Sequence, residues 1–283
     1  MLTFSKMHGI GNSYIYINCF QETVPNPEKL AIFVSDIRFG IGSDGLILIM
    51  PSEIADFRMR IFNADGSEAM MCGNGTRCVG KYVYDMGLTD KTNVSLETNA
   101  GIKYLTLYPG VDGKIESVKV DMGKAILIPR EIPMNSNLDR FVAQPITIDG
   151  MQYCMTCVSI GNPHAIVFLP EIDTLNLEKI GPSFEYYPLF PNRVNTEFVR
   201  IIDDHTLQMR VWERGSGETF ACGTGTCASV VAAVLNGYCR KEDEILVHLR
   251  GGDLRIIYHE DENVTMIGPA TFVFEGKMEV PEF

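Results

Sequence analysis

Basic residues are scarce in this chain: 24 lysines and arginines stand against 36 aspartates and glutamates, a formal net charge of −12. That balance argues against a nucleic-acid or anionic-membrane partner, since either wants a basic face. The opening residues, Met1 to Ile17, lack the charged-then-apolar layout of an export leader, so a cytoplasmic, reducing compartment is expected. One uncharged run, Thr219 to Cys239, reaches membrane-spanning length. Its first third is glycine and threonine with nothing basic at its start, and it reads as a buried central helix. No second Cys-x-x-Cys and no His-x3-His accompanies Cys154-x-x-Cys157, so no metal is expected there. That stretch reads as a strand, where odd spacing sends Cys154 and Cys157 to opposite faces.

What the chain does have is globular: 283 residues, 46% hydrophobic and 21% charged, enough for one large domain or two ordinary ones. Eight cysteines without an export signal read as free thiols. Cys19, Cys78, Cys227 and Cys239 are expected to be small core hydrophobes. Apart from these and the Cys154/Cys157 pair, the two remaining cysteines carry a repeat. Cys72-Gly73-Asn74-Gly75-Thr76 and Cys222-Gly223-Thr224-Gly225-Thr226 stand 150 positions apart, each opening an apolar run that ends at a glycine, Gly87 or Gly237. Each reads as a glycine-rich loop entering a helix, with the cysteine beside unpaired N–H groups and the positive end of the macrodipole. A thiol there is biased toward thiolate.

The same offset relates Gly11-Asn12 to Gly161-Asn162, Glu68 to Glu218, Asn63 to Glu213 and Gly45 to Asn195. Two tandem α+β units are therefore expected, each a mainly antiparallel sheet wrapped on one central helix. The expected boundaries are residues 1–121 with a returning C-terminal strand, 270–283, for the first, and residues 122–269 for the second. The active site is expected in the cleft between them. Strands are read at Leu2 to Asn18 around a His8–Asn12 turn, Leu46 to Met50, Phe57 to Phe62, and in pairs from Val94 to Val120. Short helices are read at Lys29 to Ser35 and Leu175 to Ile180, and Pro129 to Pro145 reads as a polar connection. Glu68 and Glu218 are expected to serve the helix N-termini by dipole or cap.

The motifs in order are Met7-His8-Gly9-Ile10-Gly11-Asn12, Gly40-Ile41-Gly42-Ser43-Asp44, Phe62-Asn63-Ala64-Asp65-Gly66-Ser67, Cys72-Gly73-Asn74-Gly75, Gly161-Asn162-Pro163-His164, Arg193-Val194-Asn195, and Glu213 to Thr219 leading into Ala221-Cys222-Gly223-Thr224-Gly225. Together they cover nearly the whole chain, which resembles the diaminopimelate epimerases. The resemblance implies cofactor-independent inversion of one α-carbon of an amino-acid substrate, with Cys72 and Cys222 as base and acid. It implies His164 and Glu213 as catalytic helpers, and Asn12, Asn63, Asn162, Asn195 and Arg214 as substrate contacts. The amides of Gly73, Asn74, Gly223 and Thr224 would hold the reacting carboxylate. Two departures stand out: Ser13-Tyr14 replaces the usual Asp-Phe, and Gly45 stands where many members carry a glutamine that touches substrate. The resemblance also implies a homodimer and a cleft that shuts on substrate.

The chemistry explains the residue types. Inversion needs a base on one face of the carbon and an acid on the other, and a compact thiol serves in either role. No lysine motif offers a pyridoxal ring, so carbanion charge has to flow into the carboxylate, where helix N-terminal amides would receive it. Other readings remain at this point: a racemase of another α-amino acid such as histidine, a thiol-redox or zinc protein built on Cys72, Cys222, Cys154 and Cys157, or a silent amino-acid-binding protein.

Overall fold

A computed structural model describes residues 1–281; residues 282 and 283, the end of the expected returning strand, lie outside the described residues. The chain divides into two compact units, one formed by Met1–Val120 with the segment from Ile267 onward, the other by Asp121–Met266.

The first unit contains β1 (Leu2–Gly9), β2 (Asn12–Asn18), α1 (Pro27–Ser35), β3 (Gly45–Met50), β4 (Phe57–Asn63), β5 (Glu68–Ala69), α2 (Gly73–Asp85), β6 (Asn93–Thr98), β7 (Gly101–Pro109) and most of β8 (Ile115–Lys124). The second carries β9 (Gln144–Ile148), β10 (Met151–Ser159), β11 (Pro163–Phe168), α3 (Leu177–Glu185), β12 (Asn195–Asp203), β13 (Thr206–Glu213), β14 (Gly217–Thr219), α4 (Gly223–Leu235), β15 (Glu244–Leu249) and β16 (Gly252–Tyr258). After β17 (Asn263–Pro269), the last strand, β18 (Thr271–Met278), returns to the first unit and pairs antiparallel with β1, Leu2 opposite Met278.

The repeat holds at the level of strand register. In the first unit β2 and β3 run parallel with Ile15 opposite Leu46; in the second β11 and β12 run parallel with Ala165 opposite Thr196. Antiparallel β3–β4 sets Leu46 against Phe62, and β12–β13 sets Thr196 against Trp212. The short hairpins into the helices match as well, Ile61 to Ala69 and Val211 to Thr219. After the helices the offset becomes 151, with Phe57 opposite Leu96 and Leu207 opposite Val247. One extra residue in the turn between α4 and β15 absorbs the change.

Each central helix is held by its own unit's strands. The helix α2 packs on β1, β2 and β7, and α4 on β10, β11, β12, β13 and β16. Gly80 in α2 lets Leu105, Leu107 and Val118 approach so closely that a Cβ would lie 2.9–3.3 Å from them. Residues 225–233 of α4 are all buried, as expected of a helix apolar on every side. Of the long uncharged run only the 13 residues of α4 are helical, and no described helix is long and apolar enough to cross a membrane.

Three local readings change. The stretch after Pro129 is more than a polar connection, because Ile132, Met134 and Phe141 enter the second unit's core. The helix α3 starts later and runs further than periodicity indicates. Its Asn176 side chain caps the Lys179 N–H at 3.1 Å, and the helix continues through Pro182 because Gly181 and Phe184 are buried in the core. Glu68 and Glu218 do not cap the helices. They form paired bonds to Arg60 (2.8 and 3.0 Å) and Arg210 (2.9 and 3.0 Å) across the β4–β5 and β13–β14 hairpins. Cys154 is exposed and Cys157 buried, the alternation expected of a strand.

Candidate active site

Each central helix begins at a cysteine. Cys72 is the N-cap of α2 and its Sγ accepts from the Gly75 N–H at 3.4 Å; Cys222 is the N-cap of α4 and accepts from the Gly225 N–H at 3.3 Å. A sulfur in the N-cap position takes the bond that a serine or aspartate oxygen normally takes. The glycines that follow keep these first turns open to close neighbours.

In the first unit Cys72 gathers Asn12 and Asn74. The Cys72 thiol donates to Asn12 Oδ1 at 3.4 Å, and Asn74 Nδ2 donates to the same oxygen at 3.4 Å. Asp44 holds Asn12 from behind, accepting from its Nδ2 at 2.9 Å and from the Ser13 N–H at 2.7 Å. Fully buried Arg77 fixes Asn74, donating from Nη2 to its Oδ1 at 2.9 Å and from Nη1 to the Gly73 carbonyl at 3.3 Å. Asn63 donates to Ser67 Oγ at 3.0 Å and lies opposite Gly45 in the β3–β4 ladder. Gly45 has φ +155°, and a Cβ there would meet the Phe62 carbonyl oxygen at 2.1 Å. A glutamine therefore has no place at this backbone position, and Gly45 offers no side-chain contact.

In the second unit Cys222 gathers more polar company. Its Sγ lies 3.5 Å from Thr224 Oγ1. Glu213 accepts from the Thr219 hydroxyl. Burial raises the Glu213 carboxyl above its ordinary value, against the pull of the Thr219 bond, His164 and the Cys222 thiol. His164 has no exposed surface; its Nδ1 lies 2.7 Å from Glu197 Oε1 and its Nε2 3.0 Å from Asn162 Oδ1. Asn195 staples the loop before Cys222, donating to the Pro163 carbonyl at 3.2 Å and accepting from the Arg214 N–H at 3.0 Å. Both ends of its amide are thus engaged within the protein. The Arg214 guanidinium donates to the Asn192 carbonyl at 3.1 Å, and burial followed by the nearby Arg193 charge lowers it.

A helix N-terminus favours thiolate, yet the Cys222 thiol is pushed well above its ordinary value, first by burial and then by the Glu213 and Glu197 carboxylates. The Thr224 hydroxyl and the Gly225 N–H pull the other way and are outweighed. At neutral pH Cys222 is therefore a thiol.

Glu197 escaped the sequence reading. It is fully buried in β12, and only its place directly before the apolar pair Phe198-Val199 could have marked it. Asp44 and Arg77 escaped as well, although Asp44 closes a quoted glycine motif. Donor atoms of His164, Glu197 and Cys222 lie within 4.8 Å of one another. The 2.7 Å between His164 and Glu197 is a hydrogen-bond length, shorter than the roughly 3.3 Å that separates two ligands on a tetrahedral zinc. As folded, the pair is bonded to itself.

Comparison with known proteins agrees in sequence and in fold. The diaminopimelate epimerase family model matches residues 4–128 and 156–273. The chain is 58% identical over 282 residues to the diaminopimelate epimerase of Acetivibrio thermocellus, covering 99% of this chain and 100% of that one. It is 55% identical over 287 residues to that of Agathobacter rectalis, with 99% and 100% covered. Among solved structures, a probable proline racemase from Agrobacterium radiobacter superimposes with a TM-score of 0.75 at 15% identity, covering 99% and 94% of the two chains. A methylitaconate-delta-isomerase gives 0.65 at 19% identity, covering 97% and 94%. At such identities these two speak for the fold alone.

Proposed function

The chain belongs to the diaminopimelate epimerase family, and from that premise we propose a two-thiol route by which it inverts one α-carbon of LL-diaminopimelate to give the meso form. It is an isomerase of lysine biosynthesis. The finer assignments that follow are our reading.

Cys72 and Cys222 flank the reacting carbon, one from each unit, in a cleft that closes on substrate. With LL-substrate bound, Cys72 as thiolate takes the α-proton, and the Cys222 thiol delivers a proton to the opposite face. One proton leaves the carbon and one arrives, so Cys72 ends as thiol and Cys222 as thiolate; once product leaves, Cys72 loses a proton to solvent and Cys222 gains one, which restores the starting state. The observation that carries this reading is the matched capping: two sulfurs, 150 positions apart, each holding the third amide of an equivalent helix. The burial and carboxylates that keep Cys222 protonated favour it as the resting acid.

Carbanion charge flows into the α-carboxylate. The amides of Gly73, Asn74, Gly223 and Thr224, at the starts of two helices, would receive it. Asn12, Asn63 and Asn162 orient the substrate's polar groups, and His164 and Glu213 manage the protons of the two sulfurs. Arg193 and Arg214 are close enough that one lowers the other, and a distal substrate carboxylate is a fitting partner for such a pair. Asn195 acts through the Arg214 loop it staples. The reading includes a homodimer working in the cytoplasm, with no added cofactor or metal.

The test is incubation of purified protein with LL-diaminopimelate in D2O, with reductant and no cofactor. Meso product carrying solvent deuterium at one α-carbon is the expected outcome. Turnover without deuterium at that carbon would refute proton exchange through a protein base.

A further inference from the structure

The repeat supplies an internal control for the site. Positions 150 apart occupy equivalent places in the two units, and at three of them beside the cysteines the chemistry differs. Tyr14 corresponds to His164, Ile47 to Glu197, and Asn63 to Glu213. The equivalence extends to packing. A Cβ on Gly75 would meet Ile47 Cδ1 at 2.6 Å, and a Cβ on Gly225 would meet Glu197 Oε1 at 2.4 Å. Ile47 and Glu197 thus sit under the same turn of equivalent helices.

An isoleucine is the favourable choice for that place, fully buried and free of polar atoms. A carboxylate there loses its hydration, a penalty of several kcal/mol unless it is compensated. Glu197 is compensated on one oxygen only. Oε1 faces His164 Nδ1, while Oε2 has no hydrogen-bond partner among the described residues. The first turn of α4 lies against Oε1 and favours negative charge there. Glu197 follows Asn195 by two residues on β12, which places both side chains on one face of the strand. His164 and Asn195 are register partners on the parallel pair β11–β12, so Glu197 reaches the imidazole from the neighbouring strand.

We propose that Glu197 is a positioning residue that holds the Nδ1 proton of His164, so that Nε2 is the nitrogen that lends a proton to the Cys222 thiolate and takes one back from the Cys222 thiol, the two residues having donor atoms within 4.8 Å of each other. When Nε2 is protonated the ring is a cation, its charge matched by the Glu197 carboxylate. When Nε2 releases that proton, the neutral ring keeps its Nδ1–H on Glu197. Asn162 serves both states. Its oxygen accepts from Nε2–H at 3.0 Å, and its amide, turned over, donates to the bare nitrogen. The first unit, with Tyr14 and Ile47 at these places, has no such pair, so the relay belongs to one half of the molecule.

This assignment rests on the two-thiol reading, and its test separates the two. Imidazole 15N shifts of uniformly labelled protein are recorded across pH, with the His164 signals identified by their loss in His164→Asn. We expect Nδ1 of His164 to carry the proton whenever the ring is neutral. An unprotonated Nδ1 in the neutral ring would overturn the proposal whether or not the protein turns over diaminopimelate. The companion measurement compares Glu197→Gln and Glu197→Asp. The glutamine variant is expected to fold, to keep KM, to lose at least roughly 10²-fold in kcat, and to change its pH–rate profile. The aspartate variant is expected to recover much of the rate. Wild-type kcat and pH profile in Glu197→Gln would refute the role. Absence of epimerase activity in the unaltered protein would refute the two-thiol reading instead, leaving the nitrogen shifts to judge Glu197.

Discussion

Gly181 in α3 lies flat beneath the indole of Trp212: a Cβ on that glycine would stand 2.2 Å from Trp212 Cδ2. The ring cannot step aside cheaply, because Trp212 Nε1 donates to buried Glu185 at 2.8 Å. Glu185 in turn accepts from the Gly215 N–H at 2.9 Å and pairs with Arg193 at 3.1 Å. One helix thereby sets the loop that follows Glu213.

Gly181→Ala is expected to lose about 1–3 kcal/mol of stability through overpacking. Urea unfolding followed by fluorescence of the single tryptophan measures this directly. The emission of the folded variant should also shift, since the indole must move. An unchanged midpoint would show that α3 can retreat from Trp212.

The matched ion pairs of the two hairpins are not equal in strength. Arg60–Glu68 has side chains 27% and 31% exposed, whereas Arg210–Glu218 is 11% and 12% exposed. Arg210 also donates from Nη1 to the carbonyls of Ile172, Asp173 and Leu175. Arg60→Ala should therefore cost about 1 kcal/mol or less, and Arg210→Ala roughly 3 kcal/mol. Chemical denaturation of both variants checks the ordering.

Removing either thiol should stop the reaction in both directions. Cys72→Ala and Cys222→Ala are each expected to reduce kcat/KM by at least about 10²-fold, with circular dichroism unchanged. Near wild-type turnover in either variant would mean that one base suffices.

Alkali should destabilise the fold before it hydrolyses anything. Burial raises Cys19, Cys78 and Cys239 from 9.0 to about 11, and it pushes Cys157 and Cys222 well upward. A raised thiol pKa means the folded chain keeps protons that the unfolded chain releases. Stability is then full below the ordinary thiol range and falls as pH climbs through about 9 to 11. Calorimetric melting temperatures over that window should drop, and Cys78→Ala should flatten the slope.

Much of the architecture was legible because duplication writes itself at a fixed spacing. The glycine turns, the strands at Leu46 to Met50 and Phe57 to Phe62, and both helix starts follow from the residues. Burial, by contrast, is a property of the assembled sheet. That is why the residues alone left open which cysteine is the thiol, whereas burial and two carboxylates hold Cys222 in that form. It is also why Glu197, one of three charged residues in β12, passed as ordinary. Glu68 and Glu218 misled for a related reason: they stand four residues before the cysteines, within reach of a cap, but their hairpins turn them back onto Arg60 and Arg210. The core residues of the Pro129 to Pro145 stretch, Ile132 and Met134 among them, carry no periodicity that would announce them.

The antiparallel partnership of β1 with β18 has a temporal meaning. Met278 is synthesised long after Leu2, so at about 5–20 residues per second the earlier strand waits many seconds for its neighbour. The second half can finish folding during that interval. The first-born half is thus the last to be sealed, with a bare strand edge exposed to stray pairing until β18 has emerged.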